Sequence, residues 1–190
     1  MSALMVCSWG WFAAMEAGPP LRGEVRVRAG VSEVEGVFVY GTLLPGFQAH
    51  EALLWGVLEA REGWAEGLAL LHLPQGYPAA VPGQGRVRGV WLRLADLAAC
   101  LPGLDEYEGH TEGPGPRLYG RRPWGVALDD GREVRAWLSL FEGEHDDAPT
   151  PDEVLGRALA AGAARVEAGD WRAWRAANRV QDDCPKAIPR

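Results

Sequence analysis

The sequence predicts an α+β domain, and three observations carry that prediction. Apolar runs stop abruptly at glycine or proline, as buried strands do: Val37–Tyr40 ends at Gly41, and Leu68–Leu73 ends at Pro74. Asp129-Asp130-Gly131 sits between two apolar stretches, which is a hairpin signal. Thr150-Pro151-Asp152-Glu153 has the form of a capping box with proline at the first helical position, so a helix opens there.

Taken in order, Val37–Tyr40 reads as a fully buried strand. After the Pro45-Gly46 turn, Phe47 to Trp55 reads as a helix. Leu68–Leu73 is a second buried strand, and Pro74, Gly76 and Pro78 break the chain after it into loop. Arg86–Leu94 alternates as a strand, with Val90, Leu92 and Leu94 on one face. Asp96 caps a helix through Leu101; Pro102 stops it and starts a new turn through Leu104 to Glu108, which Gly109 ends. Thr111–Pro116 is a Gly/Pro loop. Trp124–Leu128 and Arg132–Leu140 are the arms of the hairpin, and Glu142–Asp147 is an acidic loop. The helix opened at Thr150 is expected to reach Ala168. Gly169 ends it, and Asp170 caps another through Arg179.

At 190 residues and 47% hydrophobic content the chain suits one domain with a real core. The expected division is an extension over 1–36, a domain over 37–180 and a tail over 181–190. The extension reads as floppy or as the product of a misassigned start, and the second reading is preferred. It is apolar up to Ala14 but has no basic leading region, and the run is too short to span a membrane. A net charge of −7 opposes nucleic-acid binding. The three cysteines, Cys7, Cys100 and Cys184, are odd in number and scattered; they give no disulfide framework and suit a reducing cytosol, so the expected location is cytoplasmic. Oligomeric state is not legible.

Two motifs carry the chemistry. Tyr40-Gly41-Thr42-Leu43 follows a buried strand, and such a turn aligns successive N–H groups toward an anion. Leu104-Asp105-Glu106-Tyr107-Glu108-Gly109 presents carboxylates at a helix end. Helical spacing puts Asp105 and Glu108 on a similar face and Glu106 elsewhere. Each motif has a plainer reading alone: a simple turn with Tyr40 in the core, and a solvated carboxylate. Other chemistries are poorly served. No serine sits in a nucleophile-elbow pattern, the histidines lack metal-ligand spacing, and no phosphate-loop or dinucleotide fingerprint appears. No metal site is expected.

The two motifs, with Gly76-Tyr77-Pro78, Val81-Pro82-Gly83, Leu118-Tyr119-Gly120-Arg121-Arg122 and Gly169-Asp170-Trp171 in that order, resemble the gamma-glutamyl cyclotransferase-like family, in its gamma-glutamylamine cyclotransferase-type branch. The resemblance runs from Val37 to Asn178. It implies a small mixed β-barrel flanked by helices, a small-molecule γ-glutamyl substrate and no cofactor. It also implies Glu108 as general base and then acid, a substrate loop at Tyr40, Gly41, Thr42 and Leu43, and Tyr119 at the pocket border. The implied reaction is intramolecular aminolysis to 5-oxoproline and a free amine or amino acid. The competing reading is a non-catalytic binding or regulatory protein on the same fold. A related enzymatic one is removal of a γ-glutamyl protecting group. The leaving group is left open.

Overall fold

The computed structural model describes residues 33–109, 118–143 and 149–178. The expected loop Thr111–Pro116, most of the acidic loop, the expected tail and residues 1–32 of the expected extension lie outside the described residues; the last residue of that extension, Gly36, opens β1. Among the described residues the elements are β1 (Gly36–Val39), α1 (Gln48–Leu53), β2 (Val57–His72), β3 (Pro78–Leu94), α2 (Leu97–Glu108), β4 (Tyr119–Leu128), β5 (Glu133–Phe141), α3 (Pro151–Ala160), β6 (Ala164–Arg165) and α4 (Trp171–Asn178).

The strands run in the order β3-β1-β5-β4-β2, and β2 pairs back onto β3. Five strands therefore close into a barrel, with β6 added outside the ring on β2. β1 lies parallel to β5, with Val37 opposite Trp137, while the other pairs are antiparallel. This is the mixed barrel with flanking helices that the resemblance implies.

Alternation along the strands divides the apolar side chains into an inside and an outside. Phe38, Trp91, Leu138 and Trp124 belong to the interior cluster, which Trp171 of α4 also enters. Val37, Val39, Val90, Leu92 and Leu94 point outward and are covered by α1 and α2 through Ala49, Cys100, Leu104 and Tyr107. Leu71, Ala79, Val81 and Tyr119 lie under Val154 and Ala158 of α3.

Several expectations need correction. β3 starts at Pro78, well before Arg86, and β4 at Tyr119, before Trp124. β2 starts at Val57, well before Leu68, because its first half is a charged outer ladder rather than an apolar run. There Glu59 pairs with Arg132 at 2.8 Å, and Glu62 with Arg88 at 3.0 Å. α2 runs unbroken through Pro102. Proline removes one helical hydrogen bond, but Ala98, whose carbonyl loses its donor, is exposed, so that carbonyl is not left without solvent. α3 ends at Ala160, not near Ala168. The chain after it serves the edge of β2 instead, where the Val166 amide donates to the Leu70 carbonyl at 2.9 Å.

Candidate active site

A cleft of about 580 Å³, measured with its open mouth, lies between the outer face of β1, β5 and β4 and the last turns of α2. Local chemistry explains each wall. The Asp96 carboxylate caps α2 by accepting from the Ala99 amide. The apolar side of the helix, Cys100, Leu104 and Tyr107, is buried against the barrel. That orientation turns Asp105 and Glu108 to the cleft and leaves Glu106 exposed. Gly109 ends the helix in the left-handed conformation at φ 68°, its amide donating back to the Asp105 and Glu106 carbonyls. Glu108 is therefore on the final turn, at the cleft.

Opposite stands the turn after β1. Tyr40, Gly41, Thr42 and Leu43 all line the cleft, and all are buried. Among the described residues, no carbonyl or side chain accepts from the amides of Gly41, Thr42 or Leu43. The turn is held from outside instead. The Leu44 amide donates to the Gly41 carbonyl at 2.9 Å. His50 Nδ1 lies 2.9 Å from the Leu43 carbonyl, and since a carbonyl only accepts, this nitrogen carries the proton. The Tyr107 hydroxyl donates to Thr42 Oγ1 at 3.0 Å, joining α2 to the turn. Gly41 is demanded by packing: a β-carbon there would overlap the Pro78 ring.

Tyr119 completes the site. Its hydroxyl donates to the Pro78 carbonyl at 2.6 Å, and its ring meets Phe141 edge-on. Tyr40 reaches across the barrel, donating to the Ser139 carbonyl at 2.7 Å and accepting from the Ala80 amide at 3.3 Å. Burial pushes the hydroxyls of Tyr40 and Tyr119 far above the usual phenol range. The Glu108 charge adds to the effect at Tyr40; at Tyr119 both Tyr40 and Glu108 do. Both rings therefore stay neutral donors. The chain has four tyrosines, and every one is at this site: Tyr40, Tyr77 and Tyr119 on the lining, Tyr107 behind the turn.

All six residues singled out in the sequence, Glu108, Tyr40, Gly41, Thr42, Leu43 and Tyr119, thus meet in one cleft. Asp105, expected to support local structure, forms an ion pair with Arg121 at 3.0 Å. His50, Tyr77, Tyr107 and Arg121 were not foreseen at the site. Adjacency to the motifs was the available signal for Tyr77, Tyr107 and Arg121; His50 had none. No group of three metal-ligating side chains occurs among the described residues, and no described helix is long and apolar enough to cross a membrane.

Comparison with known proteins points the same way. No curated protein matches the chain. Among solved structures, YkqA from Bacillus subtilis is similar with a TM-score of 0.51 at 18% identity; the match covers 79% of this chain and 44% of YkqA, so the chain spans less than half of that protein. The Arabidopsis thaliana protein At3g28950.1 gives a TM-score of 0.50 at 21% identity, over 77% of this chain and 76% of its own. At such identities the likeness is one of fold. A family model described as gamma-glutamyl cyclotransferase, AIG2-like, matches residues 37–173, a span that contains both walls of the cleft. The chain belongs to the gamma-glutamyl cyclotransferase, AIG2-like family.

Proposed function

We propose that this protein is a γ-glutamyl cyclotransferase, converting a γ-glutamyl amide into 5-oxoproline and a free amine or amino acid. The observation that carries the reading is the Glu108 carboxylate sharing one cleft with the uncommitted amides of Gly41, Thr42 and Leu43. The α-amine of the substrate is an ammonium near neutral pH and is no nucleophile until it loses a proton. Glu108 accepts that proton. The freed amine attacks the γ-carbonyl, a new C–N bond closes the five-membered ring, and the carbonyl oxygen becomes an oxyanion. N–H donors of the 41–43 turn serve anionic groups of the substrate, its α-carboxylate or this oxyanion. The ring nitrogen then releases its second proton to solvent, collapse breaks the original amide C–N bond, and Glu108 returns its proton to the departing nitrogen. Atoms balance without water or cofactor.

The fixed parts of the site suit this task. Buried, neutral Tyr40 and Tyr119 do not compete for protons. Tyr107 and His50 hold the turn in place before substrate arrives, so less reorganisation is required during reaction.

The test is 5-oxoproline release from a panel of γ-glutamyl amines, amino acids and peptides, with Glu108→Gln in parallel. Product from the wild type and a loss of roughly 10²–10⁴-fold in kcat for the variant is expected. Binding without product from any compound would replace this reading with a non-catalytic binding protein. Full activity in Glu108→Gln would remove Glu108 from the mechanism.

A further inference from the structure

The cleft continues beyond the groups just described, and the continuation has its own chemistry. Three elements step in one direction. On α2, Asp105 lies one turn before Glu108. On β4, Arg121 lies two residues beyond Tyr119 on the same face. On β5, Trp137 lies two residues before Ser139. The strand registers agree, since Tyr119 is opposite Phe141, Arg121 opposite Ser139, and Trp137 opposite Val37. All of these except Phe141 line the cleft. It therefore has a proton-transfer end at Glu108 and Tyr119 and a second end at Asp105, Arg121 and Trp137.

Arg121 is the one cationic side chain on the lining among the described residues. It is largely buried, with 20% side-chain exposure, and its guanidinium carbon is 5.1 Å from the centre of the Trp137 ring. Its Nη1 lies 3.0 Å from Asp105 Oδ1, but the contact is not aligned as a hydrogen bond and Nη1 has no other acceptor among the described residues. A guanidinium has five in-plane donors, and one ionic neighbour does not exhaust them. Packing against an indole restrains its plane, which suits it to a second carboxylate.

We propose that Arg121, set by Asp105 and Trp137, forms a leaving-group subsite that selects γ-glutamyl amino acids over γ-glutamyl amines. This inference rests on the cyclotransferase reading. With the 41–43 amides serving the glutamyl moiety, Arg121 receives the α-carboxylate of the departing amino acid. The span is right: amide nitrogen to carboxylate oxygen is roughly 3.5 Å from standard bond lengths, and a charge-assisted hydrogen bond adds roughly 2.8 Å. The sum matches the two-residue strand step, roughly 6–7 Å, between Tyr119 and Arg121. Val37, Leu104 and Trp137 beside it favour an apolar side chain on that amino acid.

The experiment compares γ-glutamyl-leucine with γ-glutamyl-3-methylbutylamide, which differ only by the leucine carboxylate. Calorimetric binding is measured in the Glu108→Gln background, so that turnover does not intervene, and 5-oxoproline release is measured separately in the wild type. Tighter binding of the leucine compound is expected, by roughly 10–100-fold, the range for hydrogen bonds between charged groups. Adding Arg121→Gln should abolish that preference and leave the amide compound unaffected. Asp105→Asn/Arg121→Gln, which removes both charges together, keeps the test available if the single change misfolds. Equal affinity for the two compounds, binding of neither, or equal weakening of both by Arg121→Gln overturns the subsite. Equal weakening would instead make Arg121 a positioning residue or a contact of the glutamyl moiety. Discrimination without 5-oxoproline would overturn the reaction while leaving the subsite standing.

Discussion

Two aromatic clusters of the molecule occupy opposite kinds of place, one at a cleft and one in the interior. At the cleft, tyrosine hydroxyls bind backbone or Thr42, and Glu108 lines the wall beside the 41–43 turn, whose amides have no acceptor among the described residues. At α4, Trp171, Trp174, His72, Phe47 and Arg175 pack ring on ring and cation on ring. Trp171 Nε1 donates to His72 Nδ1 at 3.2 Å, the His72 and Trp174 rings are 4.4 Å apart, and the Arg175 guanidinium lies 4.8 Å from the Trp171 ring. The first cluster borders a cleft; the second holds a helix to the barrel. Aromatic content does not separate the two. The difference lies in whether the rings wall an opening or fill the interior.

Substitutions should split along that line. The largest effect is expected from Glu108→Gln, with turnover falling as stated above while the melting temperature stays close to wild type, because the amide keeps the carboxylate's shape. Trp171→Ala should do the reverse. It removes a side chain that is 1% exposed in the interior cluster, for a cost of roughly 3–5 kcal/mol in chemical denaturation. The remaining folded fraction should keep near-normal kcat/KM. A collapse of kcat in that variant would show that the clusters are coupled.

Tyr107→Phe sharpens the contrast, since it removes only the hydroxyl that joins α2 to Thr42. A stability loss of about 1 kcal/mol is expected, with a rise in KM as the turn loosens. An unchanged KM would mean that the turn holds its form without α2. The smallest effect is at His72. Burial, and then the Arg175 charge, lower its pKa in the folded state. Above the unfolded value, about 6.5, the ring is neutral in both states and contributes no pH dependence. As pH falls through that value the unfolded chain takes up a proton first, so stability declines until His72 itself is protonated. Melting temperature followed from pH 8 downward should show this limb in the wild type and lose it in His72→Gln.

What the sequence made legible was local. The Asp129-Asp130-Gly131 hairpin, the Thr150 capping box with Glu153, the Asp96 cap and the Val90/Leu92/Leu94 face all depend on neighbours within a few residues, and all are found. The first half of β2 was hidden because Glu59, Arg61 and Glu62 are matched across strands by Arg132, Asp130 and Arg88, partners far away in sequence. The end of α3 was legible but overlooked: Gly162, at φ 95°, closes the helix as the Ala163 amide donates back to the Ala158 carbonyl, and Ala164–Arg165 then pairs with β2 as β6. At the cleft, motif order located the two walls. It did not show that His50 would secure the turn, nor that Arg121 would meet Asp105, because each contact exists only once the barrel has closed.

That closure has a consequence for the birth of the protein. β1 carries the substrate turn, yet its four residues have no partner nearby in the chain. One neighbour is β3, and the other is β5, so that Tyr40 finds the Ser139 carbonyl 99 residues away. During synthesis the turn-bearing segment leaves the ribosome early, finds β3 first, and keeps its other edge open until β5 emerges. Pairings of such long range are slow to form and expose apolar chain in the interval. A nascent chain halted before residue 133 lacks β5 and hence one of the two strands that flank β1. The 41–43 turn therefore takes its final setting only with the last strand of the ring, so the cleft is among the latest parts of the molecule to be completed.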